Sequence, residues 1–75
     1  MLKTTITWHD PAEELPKSSG YYLIVSNAYI MESHYSQKHR CFNIFDSMTA
    51  KKAERYKIPA ELWAEIPAEL MEWKK

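Results

Sequence analysis

Between Gly20 and Asp46 the chain carries its densest run of aromatic and β-branched residues, broken by short polar stretches. Tyr21-Tyr22-Leu23-Ile24-Val25 and the segment from Tyr29 to Tyr35 flank the polar pair Ser26-Asn27, a pattern that predicts two strands of a tight hairpin. Gln37-Lys38-His39-Arg40 forms the next polar break, and Cys41 to Phe45 follows as a third strand. Three antiparallel strands are the smallest sheet that stands with a hydrophobic face. A two-residue hairpin loop sets Leu23 and Val25 beside Ile30, Glu32 and His34, and puts Tyr22, Ile24, Tyr29, Met31, Ser33 and Tyr35 on the opposite face; a three-residue loop reverses this. With a four-residue turn before the third strand, Phe42 and Ile44 join the tyrosine-bearing face, while Asn43 and Phe45 lie with His34 and Glu32. One face is then expected to take the helical segments as a lid.

Flanking segments carry weaker rhythms. Thr4 to Trp8 alternates and is β-prone, which predicts a short strand or extended arm that brings Trp8 to the edge of the core. Asp10-Pro11-Ala12-Glu13-Glu14 has a capping aspartate, a proline at the first helical position and early acidic residues, a helix start that Leu15-Pro16 stops after about one turn. The chain's one glycine, Gly20, ends the turn Lys17-Ser18-Ser19 and is expected to supply a positive φ. Ser47 to Tyr56 holds good helix formers behind a cap at Ser47 or Thr49 and ends before Pro59, so a short helix is expected. Glu61, Glu65, Glu69 and Glu72, each followed by an apolar residue, keep helical spacing, yet Pro67 would cost such a helix about 3 kcal/mol. A strand through Leu62 to Ile66, ended by Pro67 and followed by a helical turn to Trp73, fits the residues equally well.

Composition narrows the classes of function. Seventy-five residues form one small domain, spanning 1–75, with little room for a deep catalytic cavity. Ten basic and ten acidic residues give zero formal net charge, which argues against strong general nucleic-acid binding and equally against a highly acidic mimic of DNA. Cys41 is alone, so neither an intramolecular disulfide nor a paired-cysteine zinc site is expected, and a reducing cytoplasm fits. No segment has the run of roughly 20 apolar residues that a bilayer demands, and the first residues lack the apolar stretch of a signal peptide.

Trp8, Leu15-Pro16, Gly20-Tyr21-Tyr22-Leu23-Ile24-Val25, Tyr35, Phe42-Asn43, Asp46 and Trp63-Ala64-Glu65-Ile66-Pro67 come in an order that resembles the small domains of domain-of-unknown-function family 551. The likeness covers about positions 8 to 67. It implies a stand-alone or appended domain common in bacteriophages and prophages, with an extended closing segment, which favours the strand at residues 62–66. No chemistry common to the family comes with it. Family members tend to finish in prolines soon after the position of Pro67, whereas this chain continues through Glu69 to Lys75.

Candidate chemistry is sparse. His34 and Glu32 share a strand face and could join His9 or Asp46 at a metal, but no two histidines have a tight ligand spacing, and surface or turn roles are the simpler reading. A nucleophilic Cys41 with His39 lacks an orienting carboxylate, which leaves Cys41 as a small apolar side chain. The expectation is therefore a protein that is not an enzyme, with neither metal nor cofactor. Its fold is expected to be α+β: a single-layer antiparallel sheet of about four strands with one short helix and helical turns packed on it. Leu70, Met71 and Trp73, in the extension beyond the family pattern, are the expected anchors for a protein partner. With the phage resemblance they suggest an inhibitor of a host bacterial protein, a defence component for instance, acting in the cytoplasm, and a homodimer is compatible with so small a sheet. The alternative is a small-ligand or nucleotide site on the aromatic face, with Tyr22, Tyr35, Asn43 and Asp46 as its residues. Aromatic residues are common in strands for packing reasons alone, and an Asn or Asp at a strand end ordinarily closes a turn.

Overall fold

A computed structural model describes residues 5–69 of the protein. Strands β1 (Gly20–Ser26) and β2 (Tyr29–Ser36) pair antiparallel, with Gly20 opposite Tyr35 and Ser26 opposite Tyr29. Two residues join them. Asn27 and Ala28 both take left-handed backbone, φ +53° and +71°, the pattern of a type I′ turn whose twist matches that of the flanking strands. The turn lies one position later than the polar pair suggested: Ser26 belongs to the strand, where its buried hydroxyl donates to the carbonyl of Pro59 at 2.6 Å. The two-residue register puts Leu23 across from Glu32 and Ile24 across from Met31, the expected division of faces.

Strand β3 is only Cys41–Phe42, set against Ser36 and Tyr35 of β2. The sequence suggests a strand running to Phe45. Asn43 ends it early by adopting φ +68°, which short polar side chains tolerate better than most. Beyond that kink Phe45 still falls on the side of His34, as the alternation requires, with the two rings stacked at 4.2 Å.

The chain then passes through helix α1 (Ala50–Tyr56), capped by the Thr49 hydroxyl, which accepts from the Lys52 N–H at 3.2 Å. It crosses the sheet to form β4 (Leu62–Glu65), antiparallel to β1 on the edge away from β3. The order β3-β2-β1-β4 is that of a Greek key, three meandering strands and a fourth returned beside the first. The closing segment is therefore a strand followed by Pro67, not a helix through it. On the outer side of β4, His9 and Trp63 exchange two backbone hydrogen bonds of 2.8 and 3.0 Å, which fastens the extended segment around Trp8 as a one-bridge continuation of the sheet. The helical turn after Asp10 is present too, its side chain accepting from the Ala12 N–H at 2.9 Å.

Ile24, Tyr35, Phe42 and Trp63 form the core on one sheet face. Leu15 and Tyr22 pack on it together with Ile58 and Ala60 from the crossing segment. The lid is thus mostly irregular chain. Helix α1 buries only Ala53 and lies by the β3 edge, where the Asn43 side-chain amide donates to the carbonyl of Tyr56 and the Ile58 N–H donates to that of Phe42. Gly20, at φ +158°, enters β1 at the extended end of the positive range that glycine alone adopts freely.

Ala28 is the strained position of the hairpin, because a Cβ in left-handed backbone costs about 1–2 kcal/mol. Ala28→Gly is expected to raise the stability by about 1 kcal/mol, some 4–8 °C in Tm for a domain of this size, as read by urea and thermal unfolding. A lower midpoint would contradict the type I′ geometry.

Candidate functional site

Asp46, one of the expected ligand residues, organises the end of the sheet where β1 begins and β2 stops. Ser19, just before β1, donates its hydroxyl to both carboxylate oxygens at 2.9 and 2.8 Å. Ser36, fully buried at the end of β2, donates to Oδ1 at 2.5 Å. Each serine oxygen in turn accepts a backbone N–H of the β2–β3 turn, from Gln37 at 2.8 Å and His39 at 3.1 Å. A carboxylate that accepts several hydrogen bonds is favoured in its charged form, and these hold the Asp46 carboxyl below the ordinary aspartate range, Ser36 contributing most and Ser19 next. Its partners are not the local backbone of its own turn but residues 27 and 10 positions away.

Beside this clamp runs an open groove of about 700 Å³. The Pro11–Pro16 segment is one wall; Tyr35, Lys38, Arg40 and Asp46 line the other. Tyr35 is 1% exposed, yet its hydroxyl meets no hydrogen-bond partner among the described residues, and burial pushes its pKa upward. Arg40 and Lys38 have no acidic partner among the described residues either. Where Arg40, Pro11 and Leu15 meet, the groove continues into a slot of about 310 Å³, lined mainly by carbon from Phe42, Ile58 and Ala60. Of the residues expected at a ligand site, Tyr35 and Asp46 therefore stand together. Tyr22 stands apart, its hydroxyl donating to the carbonyl of Ser18 at 2.9 Å, and Asn43 is engaged at the end of α1. Ser19, Ser36 and Arg40 were not singled out from the sequence. The available signal for Arg40 was its place at the end of a polar four-residue turn, where it adopts φ +55° in a position that glycine or asparagine more often fills.

On the aromatic face the rings differ in access: Tyr29 is exposed and Tyr22 half-buried. Tyr35 and Phe42, 1% and 3% exposed, are core residues and offer no ring face to a base. The histidines are engaged structurally. His9 stacks on Trp63 with centroids 4.4 Å apart and its Nδ1 3.3 Å from the Glu14 carboxylate. The Nδ1–H of His34 donates to the carbonyl of Ile44 at 2.9 Å, and the Nε2–H of His39 to that of Met48 at 2.8 Å. Burial raises the Cys41 thiol pKa, which opposes the thiolate a nucleophile requires. Among the described residues no three His, Cys, Asp or Glu side chains are placed to hold a metal, and no helix is long and apolar enough to cross a membrane.

Exposed apolar surface concentrates at the turn end of β2. Tyr29, Ile30 and Met31 are 69%, 65% and 37% exposed in succession, and β3 pairs only with the far end of the strand. Leu70, Met71 and Trp73, the expected partner anchors, lie outside the described residues. Family models, curated proteins and solved structures contain no match to the chain.

Asp46 supplies a pH signature. Its lowered pKa means that the stability it contributes is present above the unfolded value near 3.9 and lost as the pH falls through the lower folded value. The difference in urea midpoint between the wild type and Asp46→Asn is expected to hold from pH 7 to about 5 and to shrink below about 4. A difference unchanged down to pH 2 would show that the serine hydroxyls do not favour the charged carboxylate.

Proposed function

We propose that this chain is a small non-catalytic binding protein that acts by direct contact with another protein, and that the free end of the β1–β2 hairpin makes the contact. The observation that carries this reading is the run Tyr29-Ile30-Met31, exposed on a strand that is paired with β1 on one side and, at that end, has no sheet neighbour on its other side among the described residues. Small soluble proteins seldom leave neighbouring large apolar side chains in water without using them. A tyrosine and an isoleucine on opposite faces of an edge strand suit a partner that lays chain along the edge and closes over both sides. Zero net charge supports a contact made by shape and apolar burial rather than by imitation of nucleic acid. The resemblance to phage and prophage domains supplies the setting: a bacterial host protein, a defence component for instance, bound and blocked in the host cytoplasm.

The test is affinity capture from a bacterial lysate with tagged wild type and a Tyr29→Ser/Ile30→Asp variant in parallel, each with a thermal melt. Exposed positions of this kind shift stability by about 0.5 kcal/mol or less each, so both proteins are expected to melt within about 8 °C of one another. A host protein retained by the wild type and lost by the variant is the expected result. Equal retention by both would remove the hairpin from the contact.

A further inference from the structure

The polar groove and the apolar slot share Pro11, Leu15 and Arg40, and neither is lined by Tyr29, Ile30 or Met31. Three chemistries converge there. The slot of about 310 Å³ is walled by Leu15, Phe42, Ile58 and Ala60, at the small end of the roughly 300–1,000 Å³ in which proteins hold organic groups. Arg40 lines both cavities, and its guanidinium, a planar fork of donors, has no carboxylate partner among the described residues. From the same point the larger groove leads away between Glu13 on one wall and Lys38, Gln37 and the free Tyr35 hydroxyl on the other, a lining that offers both acceptors and donors. Lys57, the other cation of the slot, is already paired with Glu54 at 3.1 Å.

An apolar slot, an unpaired cation and a polar channel that radiate from one point match the three branches at the last residue of a polypeptide: its side chain, its carboxylate and the main chain behind it. We propose that this groove binds the free C-terminus of a partner polypeptide ending in a large apolar residue, the side chain in the slot, the carboxylate on Arg40 and the preceding residues along the Glu13–Lys38 channel. A carboxylate on a guanidinium fork accepts two parallel N–H bonds, stronger and more directional than one made to an ammonium. The backbone at Arg40 is consistent with such a use. At φ +55° glycine would sit without strain, so the arginine costs the fold some stability.

Isothermal titration with the synthetic peptide acetyl-Ala-Ser-Ala-Phe tests this. The free acid is expected to bind, and the C-terminal amide and a peptide ending in glycine are each expected to bind about tenfold more weakly or worse. Arg40→Gly is expected to lose binding while its melting temperature stays level or rises, which separates a ligand role from a structural one. Arg40→Lys, keeping charge without the fork, is expected to fall between. Equal affinity of acid and amide, or no binding by the free acid, overturns the proposal. Phenylpropionate binding as tightly as the peptide also overturns it, since the occupant would then be a small acid. The groove and the hairpin are separate surfaces, so Tyr29→Ser/Ile30→Asp is expected to leave the peptide affinity unchanged.

Discussion

Trp63 is the side chain on which the two ends of the described chain depend. Its buried indole meets the Tyr22 ring nearly at right angles, with ring centroids 5.5 Å apart, and is stacked upon by His9. The indole N–H donates to the carbonyl of Glu14 at 2.7 Å, so the one polar atom of the ring ties down the segment that walls the groove. Its backbone bonds outward to His9 while its strand pairs inward with β1. Truncating a buried aromatic of this size costs about 3–5 kcal/mol. The total for 75 residues is only roughly 4–11 kcal/mol, so this one residue accounts for a large part of the margin. Without it the Pro11–Pro16 segment would lose its anchor, and the groove its second wall.

Asp46 does at the other end what Trp63 does at this one, by different physics. A strand pair can slide or fray at its open end, and here β1 begins and β2 finishes within reach of a single carboxylate. Two hydroxyls and two turn amides converge through it, so the four-residue turn and the entry to β1 are fixed to one another. Local side-chain hydrogen bonds are modest individually, but a connected set leaves no member free to leave alone. That fixed corner presents Tyr35 and Arg40 to the groove.

Much of the sheet was legible in the sequence because strand faces follow a period of two. Once a two-residue loop is assumed, Tyr22, Ile24 and Tyr35 fall on the core side without further information. The cap of α1 was legible for the same local reason, since Thr49 acts three residues from its own position. The short third strand was not, because its end depends on Asn43 entering left-handed backbone and donating to Tyr56, a contact across thirteen positions. Nor was the groove. Its walls are 19 to 35 positions apart in the chain, and the bond from Trp63 to Glu14 ties one of them to the sheet. Of the four residues expected at a ligand site, Asn43 and Tyr22 are held by hydrogen bonds to the carbonyls of Tyr56 and Ser18. The clamp partners Ser19 and Ser36 carried no cue, since serine in a turn or at a strand end is unremarked by any pattern.

The position of β4 has a further meaning for the making of the protein. The strand that supplies Trp63 is the last of the four to be synthesised and pairs with the first, while β1 and β2 can meet as soon as residue 36 is available. Until Leu62 to Glu65 are available, β1 lacks its second sheet neighbour and the core face lacks the cover of the crossing segment. Topologies closed by such distant pairing fold slowly and expose strand edges in the interval. The order of the strands thus sets how late the core can close, whatever the stability of the finished fold.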